Sequence, residues 1–309
     1  MPRRSRGTSA CKRENGQELR NNVSSSSAGS IRWGSGPVAF ELETSDADVL
    51  EGAKQVFARW RPDDDAVTHG RWTAHRERDE FVVIPRRPPE EGRELDTIRD
   101  PGHAVAVVEY HAIAQIVDTC DHILAFHAAL LSKNGQSIAL VGPSHSGKST
   151  LATGLWQSGW RFHCDDLTMV VDGKAVAGPR RVALRKEARP HVGDDLWNRV
   201  PATDGYFKTA VGCLFQPMHL DGTTPERVDL RALFFLKRNG APTDKPSNRL
   251  DPAHGAMALL PYTNLVRTRP FPEAMASVGA LMARVTAWDL PRRPLPEMIA
   301  TVESLTGQA

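Results

Sequence analysis

Cysteine is scarce and scattered. Only Cys11, Cys120, Cys164 and Cys213 are present, and no two of them form a C-x-x-C pair. That spacing argues against a zinc ribbon and a secreted disulfide framework, and makes a reducing compartment, the cytoplasm, the expected address. Long apolar runs are also missing. The longest, such as Ala232-Leu-Phe-Phe-Leu236, are strand-sized, so no membrane association is expected. Nor is there an excess of charge: 39 Lys and Arg face 37 Asp and Glu, a net charge of +2. So even a balance gives no reason to expect a nucleic-acid partner. There are no internal repeats, and the seven tryptophans are scattered, several in apolar patterns that fit a core better than base stacking. With 40% hydrophobic and 25% charged residues over 309 positions, the chain has the composition of a globular protein of one large or two modest domains.

Residues 1–30 read as a disordered, basic, serine-rich tail. Arg3, Arg4, Arg6, Lys12, Arg13 and Arg20 face only Glu14 and Glu18, and Ser24 to Ser27 is an unbroken serine run. The pattern changes at Pro37. Val38 to Thr44 alternates like a half-buried strand, and a helical stripe of Val49, Leu50, Ala53, Val56, Phe57 and Trp60 follows, with Ser45 or Asp46 placed to cap it. Phe81 to Ile84 and Ala104 to Tyr110 read as further strands. These features predict a small α+β domain over residues 31–113. Beyond it, residues 114–309 read as an α/β domain. Its expected strands are Ser137–Val141, Trp160–Cys164, Leu230–Leu236 and Arg284–Leu290, with helices over 254–266 and 294–305. A hairpin turns at Asp172-Gly173, and a surface loop covers Lys237 to Pro252.

The strongest motif is Gly142-Pro-Ser-His-Ser-Gly-Lys-Ser149, a full match to G-x-x-x-x-G-K-[ST], followed by Thr150. It lies between an apolar strand and a helix, the context in which such a loop cradles phosphate. Gly142 and Gly147 let the backbone turn so that successive N–H groups, including those of Ser144, His145 and Ser146, face an anion. The helix beginning at Lys148 adds its unpaired N–H groups and positive dipole end. Lys148 is expected to reach the β and γ phosphates and Ser149 to bind Mg²⁺, which makes ATP with Mg²⁺ the expected cofactor pair.

Asp165 and Asp166 follow the lysine closely, 165 − 148 = 17 residues on. One helix and one return strand fill that interval, which brings the acidic pair to the end of a strand near the loop. One carboxylate can then serve the incoming hydroxyl and the other the metal or a cation. His163 and Cys164 alternate across the preceding strand and are expected to pack in the core. Arg267, Arg269, Arg292 and Arg293 lie in late loops and read first as solvated surface, with contacts to substrate or phosphate as the alternative.

From His127 to about Val171 the sequence resembles the HPr serine kinase/phosphorylase family and the HPr-kinase-related kinases of peptide-modifying systems. The residues that carry the resemblance are Gly142-Pro-Ser144, Gly147-Lys148-Ser149, Gly159-Trp-Arg and Asp165-Asp166, with His127 lying 148 − 127 = 21 residues before the lysine. His145 departs from that pattern, standing where the family has glycine. The resemblance implies a P-loop kinase domain of the HPr kinase/PEP carboxykinase-like type, preceded by the small α+β domain. It implies Asp165 as the base toward an acceptor serine and His127 as the residue that orients the aspartate pair. Lys148 and Ser144 then hold phosphate, Ser149 and Asp166 hold metal, and Glu187 is only a candidate second metal acid. Arg181, Arg185 or Lys186 would meet phosphate or an acidic acceptor. The implied activity is γ-phosphoryl transfer to a hydroxyl, with a serine of a peptide or small protein, such as a ribosomal-peptide precursor, as the partner. Self-association, a small-molecule acceptor, and a nucleotide-switched binding module without transfer all stay open.

Overall fold

The computed structural model describes residues 29–57, 60–86, 97–98, 100–199, 212–215, 227–237 and 245–307. The expected tail therefore lies outside the described residues up to position 28, and Gly29 and Ser30 already belong to a strand. The chain begins with β1 (Gly29–Thr44), α1 (Ala47–Phe57), β2 (Pro62–Glu77), β3 (Glu80–Pro85) and β4 (Thr97–Ile98). These strands form a sheet in the order β1-β2-β3-β4, with β1 and β2 parallel across α1. Asp46 caps α1, accepting from the N–H groups of Asp48 and Val49 at 3.0 and 3.1 Å.

Next comes α2 (Pro101–Thr119), where a strand was expected over Ala104–Tyr110. The helix wins through its start signal. Asp100 accepts from the N–H groups of Gly102 and His103, and Pro101 occupies the first turn. Its valines face neighbours on nearly all sides, so the run lacks the one-sided pattern that marks a surface helix. The expected boundary at residue 113 falls inside this helix.

The chain continues through β5 (Leu124–Phe126), β6 (Ala128–Lys133), β7 (Gln136–Val141), α3 (Lys148–Gln157) and β8 (Arg161–Cys164). It then forms the hairpin β9 (Thr168–Val171) and β10 (Lys174–Ala177), followed by β11 (Val182–Arg185), α4 (Arg189–Val192), α5 (Asp194–Arg199) and β12 (Gly212–Phe215). The remaining elements are β13 (Leu230–Leu236), β14 (Asn248–Leu250), α6 (Pro252–Leu259), α7 (Leu265–Thr268), α8 (Phe271–Met282), β15 (Thr286–Leu290) and α9 (Leu295–Thr306). The segment read as a surface loop thus contributes β14, which pairs antiparallel with β15.

The central sheet has the order β14-β15-β13-β7-β6-β8. Alternate residues bury both of its faces. Leu130, Ala139, Val141, Leu233 and Phe235 join a core shared with the first sheet, α2, α6 and α8. Leu131, Ile138, Leu140, Phe234 and Leu236 face the other way, among side chains of α3 and α9. β6 runs antiparallel to both β7 and β8. The carboxyl ends of β7 and β8 and the amino end of β6 therefore meet at one edge, and that edge carries the site.

Candidate active site

The topology delivers three segments to the same corner: His127 just before β6, the loop 142–147 after β7, and Asp165-Asp166 after β8. The loop is held by close packing. A Cβ on Gly142 would meet the Leu236 carbonyl oxygen at 2.7 Å and Ser146 Oγ at 2.8 Å, so only glycine fits. Gly147 is left-handed (φ 89°), and α3 starts from it without any side-chain cap. His145 is also left-handed (φ 67°), an uncommon state for a residue with a Cβ, and its side chain is exposed on the loop.

Lys148 is only 5% exposed. Its Nζ donates to Asp166 Oδ1 at 2.8 Å and lies 3.1 Å from His127 Nε2. His127 Nδ1 is 3.1 Å from the Asp166 carbonyl oxygen, to which it donates, which leaves the Nε2 lone pair for the lysine. Burial first, and then the charge of Lys148, hold the His127 imidazole below its usual range despite the pull of Asp166.

The two aspartates have separate surroundings. Asp165 is fully buried. It accepts from Ser149 Oγ at 2.6 Å, from the Asp166 N–H at 2.9 Å and from the Ala183 N–H at 3.3 Å. Burial, followed by the neighbouring Asp166 charge, pushes its carboxyl up to about 6. Asp166 turns the other way because its backbone is left-handed (φ 64°), and its side chain is 26% exposed to the cleft. Burial opposes its ionisation, but Lys148, then His127, then Arg180 outweigh burial and hold the carboxyl below its ordinary value.

A cleft of about 1560 Å³ opens over this corner, lined by the whole loop from Pro143 to Gly147, by Lys148, Ser149 and Thr150, and by His127 and Asp166. Single-ligand pockets commonly enclose about 300–1,000 Å³, so there is room for two reactants. Glu187, Arg185, Arg292 and Arg293 also line it. Arg267 and Arg269 do not, being committed to Asp118 and to the Asp121 carbonyl at 2.7 Å each. Arg181, expected near phosphate, is instead 1% exposed and locked to Glu109 of α2, and neither it nor Lys186 lines the cleft. His163 and Cys164 are buried, as core positions. Among the described residues no group of three or more His, Cys, Asp or Glu is arranged to hold a metal ion.

Arg180 is the cleft residue that no sequence motif announced. The hairpin β9–β10 leaves the acidic pair and returns to it, and the Asp165 N–H points to the Arg180 carbonyl at 3.5 Å. The signal was the Asp172-Gly173 turn: a tight hairpin folds the chain back to where it began.

Comparisons with known proteins add little. Residues 101–178, from α2 to just past β10, match a family model described as "ScmC: SynChlorMet cassette protein ScmC". That is about a quarter of the chain. No curated protein matches. Among solved structures, the Hpr(Ser) kinase/phosphatase from Coxiella burnetii is similar at 15% identity, covering 60% of this chain and 97% of that one, with a TM-score of 0.31. A score that low assigns no fold. What stands is a mixed α/β chain with a phosphate-loop sequence at the edge of its central sheet. Among the described residues no helix is long and apolar enough to cross a membrane.

Proposed function

We propose that this cleft binds ATP with Mg²⁺ and transfers the γ-phosphoryl group to a hydroxyl, most simply the serine of a peptide or small protein. One observation carries the proposal: a buried lysine, a cleft-lining serine bonded to a buried aspartate, and a cleft-facing aspartate converge at the uncapped start of α3.

The residues fit the absent nucleotide and metal. Ser146 Oγ is buried with no hydrogen-bond partner, and Gly142 leaves a cradle that a Cβ would fill. The loop N–H groups, Ser144 and Lys148 would hold phosphate, while Ser149 and Asp165 would hold Mg²⁺, which usually takes one or two side chains together with phosphate oxygens. When bound, the metal supplies neutralisation of the β,γ charge.

Asp165 and Asp166 were expected as base and metal ligand respectively, and their surroundings favour the exchange of those roles. Asp165 is enclosed against Ser149 and out of reach of an acceptor, whereas Asp166 faces the cleft. In the proposed step the acceptor oxygen forms a bond to the γ-phosphorus as the bond to the bridging oxygen breaks. The bridging oxygen keeps the electron pair and Asp166 takes the acceptor's proton. A carboxylate held below its ordinary range is ionised at neutral pH and ready for that task, and a late proton transfer suits a loose transition state. His127 orients Asp166 through its carbonyl, and Lys148 balances its charge.

The matched family model describes a cassette protein, which directs the search for acceptors to products of neighbouring genes. The test is transfer from γ-labelled ATP to peptides encoded beside this gene. Wild type should label serine only with Mg²⁺ present. Asp166→Asn should keep ATP binding within about threefold and lose at least ~100-fold of the transfer. Undiminished transfer by Asp166→Asn would remove Asp166 as the base. ATP binding without label on any acceptor would favour a nucleotide-switched module.

A further inference from the structure

Two consecutive arginines follow the hairpin, and one carboxylate meets both. Glu109 is taken up by Arg181. Its Oε1 accepts from the Arg181 N–H at 3.0 Å and from Nε at 3.2 Å, and its Oε2 accepts from Nε at 3.1 Å and Nη2 at 2.5 Å. With four contacts from three donors of one residue already in place, the carboxylate has little left to offer. Arg180 reaches it only at 3.8 Å, beyond hydrogen-bond range. No other hydrogen bond or ion pair of the Arg180 side chain is made among the described residues, although that side chain is only 15% exposed. A half-buried guanidinium answered only by one long ion pair keeps donors open toward the cleft, where a ligand can supply acceptors.

Its position indicates which ligand. Arg180 lines the same cleft as Lys148, Asp166 and His127, and its charge is felt at both Asp166 and His127. Arg185 and Arg292 also line the cleft but are exposed, so they lack this enclosure at the reaction corner. Building on the phosphotransfer proposed above, we infer that Arg180 is a catalytic residue that grips the phosphoryl group in transit, while Arg181 and Glu109 brace the loop that aims it. A planar guanidinium can give two parallel hydrogen bonds to the equatorial oxygens over which the transition state spreads its charge. Lys148 supplies one point charge, and Arg180 the second, directional cation. Since ADP lacks the group gripped, the contribution of Arg180 belongs to transfer and not to nucleotide affinity.

The full chain can be tested without knowing its acceptor, using a fluorescent ADP analogue and Mg²⁺ with and without aluminium fluoride, which mimics the phosphoryl group in flight. Wild type should bind ADP ~10-fold or more tightly once aluminium fluoride is added. Arg180→Gln should hold ADP within about threefold of wild type and lose most of that enhancement, and Arg180→Lys should restore only a small part of it. If Arg180→Gln melts far below wild type, Arg180→Lys alone decides the matter. Full enhancement in either folded variant overturns the assignment, as does a wild type that binds ADP and ignores aluminium fluoride; nucleotide binding survives both results. A wild type that binds no ADP at all sinks the nucleotide proposal itself, and Arg180 with it.

Discussion

Two adjacent aspartates titrate in opposite directions because each has different company. An isolated aspartate titrates near 3.8, and native Asp165 near 6. Between those values the folded chain keeps a proton that the unfolded chain has lost, so stability falls as pH rises through the window. Above it, the ionised carboxylate costs folding on the order of 3 kcal/mol. Asp165→Asn removes that cost. Its melting temperature relative to wild type should therefore be more favourable near pH 7.5 than near pH 4.5. Asp166 is lowered, so its contribution is present above the unfolded value and is lost as pH falls through the native one. Asp166→Asn should lose more relative to wild type near pH 7 than near pH 3. Parallel pH profiles for the two variants would contradict the placement of these carboxylates. At Gly142 the expectation is steric. Gly142→Ala drives a methyl into the Leu236 carbonyl, a backbone atom that cannot step aside. A loss of about 1–3 kcal/mol in stability, read from denaturant melts, should accompany weakened ATP binding.

Among the elements, α2 does more than fill space, because it carries Glu109 from one part of the chain to Arg181 in another. Glu109→Ala leaves a buried guanidinium without its carboxylate and should cost about 3–5 kcal/mol in denaturant melts, whereas replacing both partners by methionine should recover most of that. Asp100→Ala, at the start of the same helix, should cost only about 1 kcal/mol. How legible each element was follows from how local its signals are. The phosphate loop could be read because its glycines, lysine and flanking strand and helix lie within a few residues of one another. The Asp172-Gly173 hairpin was legible for the same reason. α2 was misread because Val105, Val107 and Val108 favour strands and its cap outweighed them. β2 carries Asp63, Asp64 and Asp65 and too little alternation to announce itself, and it forms through pairing with β1 and β3. At the site, the grouping of Lys148 with Asp165 and Asp166 was visible in the spacing, and His127 joined it only through the family resemblance. Which aspartate faces the cleft was not, since that depends on the left-handed turn at Asp166. Arg180 matters through a contact that exists only once the hairpin has closed.

At the level of the whole molecule, the expected division at residue 113 does not match the packing. Trp33 and Phe40 of β1, Val105 of α2, Phe126 of β5, Leu233 of β13, Leu259 of α6 and Val278 of α8 belong to one continuous core. Ser35 Oγ donates to the Ala177 carbonyl, and Arg227 ties Asp63 of β2 to Asp172 of the hairpin turn, further joining the first sheet to the β9–β10 hairpin. The full chain should therefore melt in one cooperative transition by calorimetry. A fragment of residues 114–309 should show no cooperative melt, since it cuts α2 and uncovers side chains worth about 1.5–3 kcal/mol each in burial. A soluble, cooperatively melting fragment would contradict a shared core. The pairing of Lys148 with Asp166 also has a consequence for timing. One ammonium group cannot fully serve two anions, so on the proposed function a lysine drawn toward phosphate leaves the aspartate less compensated, and its appetite for protons grows. The loop and the acceptor side are then interlocked: a carboxylate ionised throughout becomes the stronger base once the cleft is loaded.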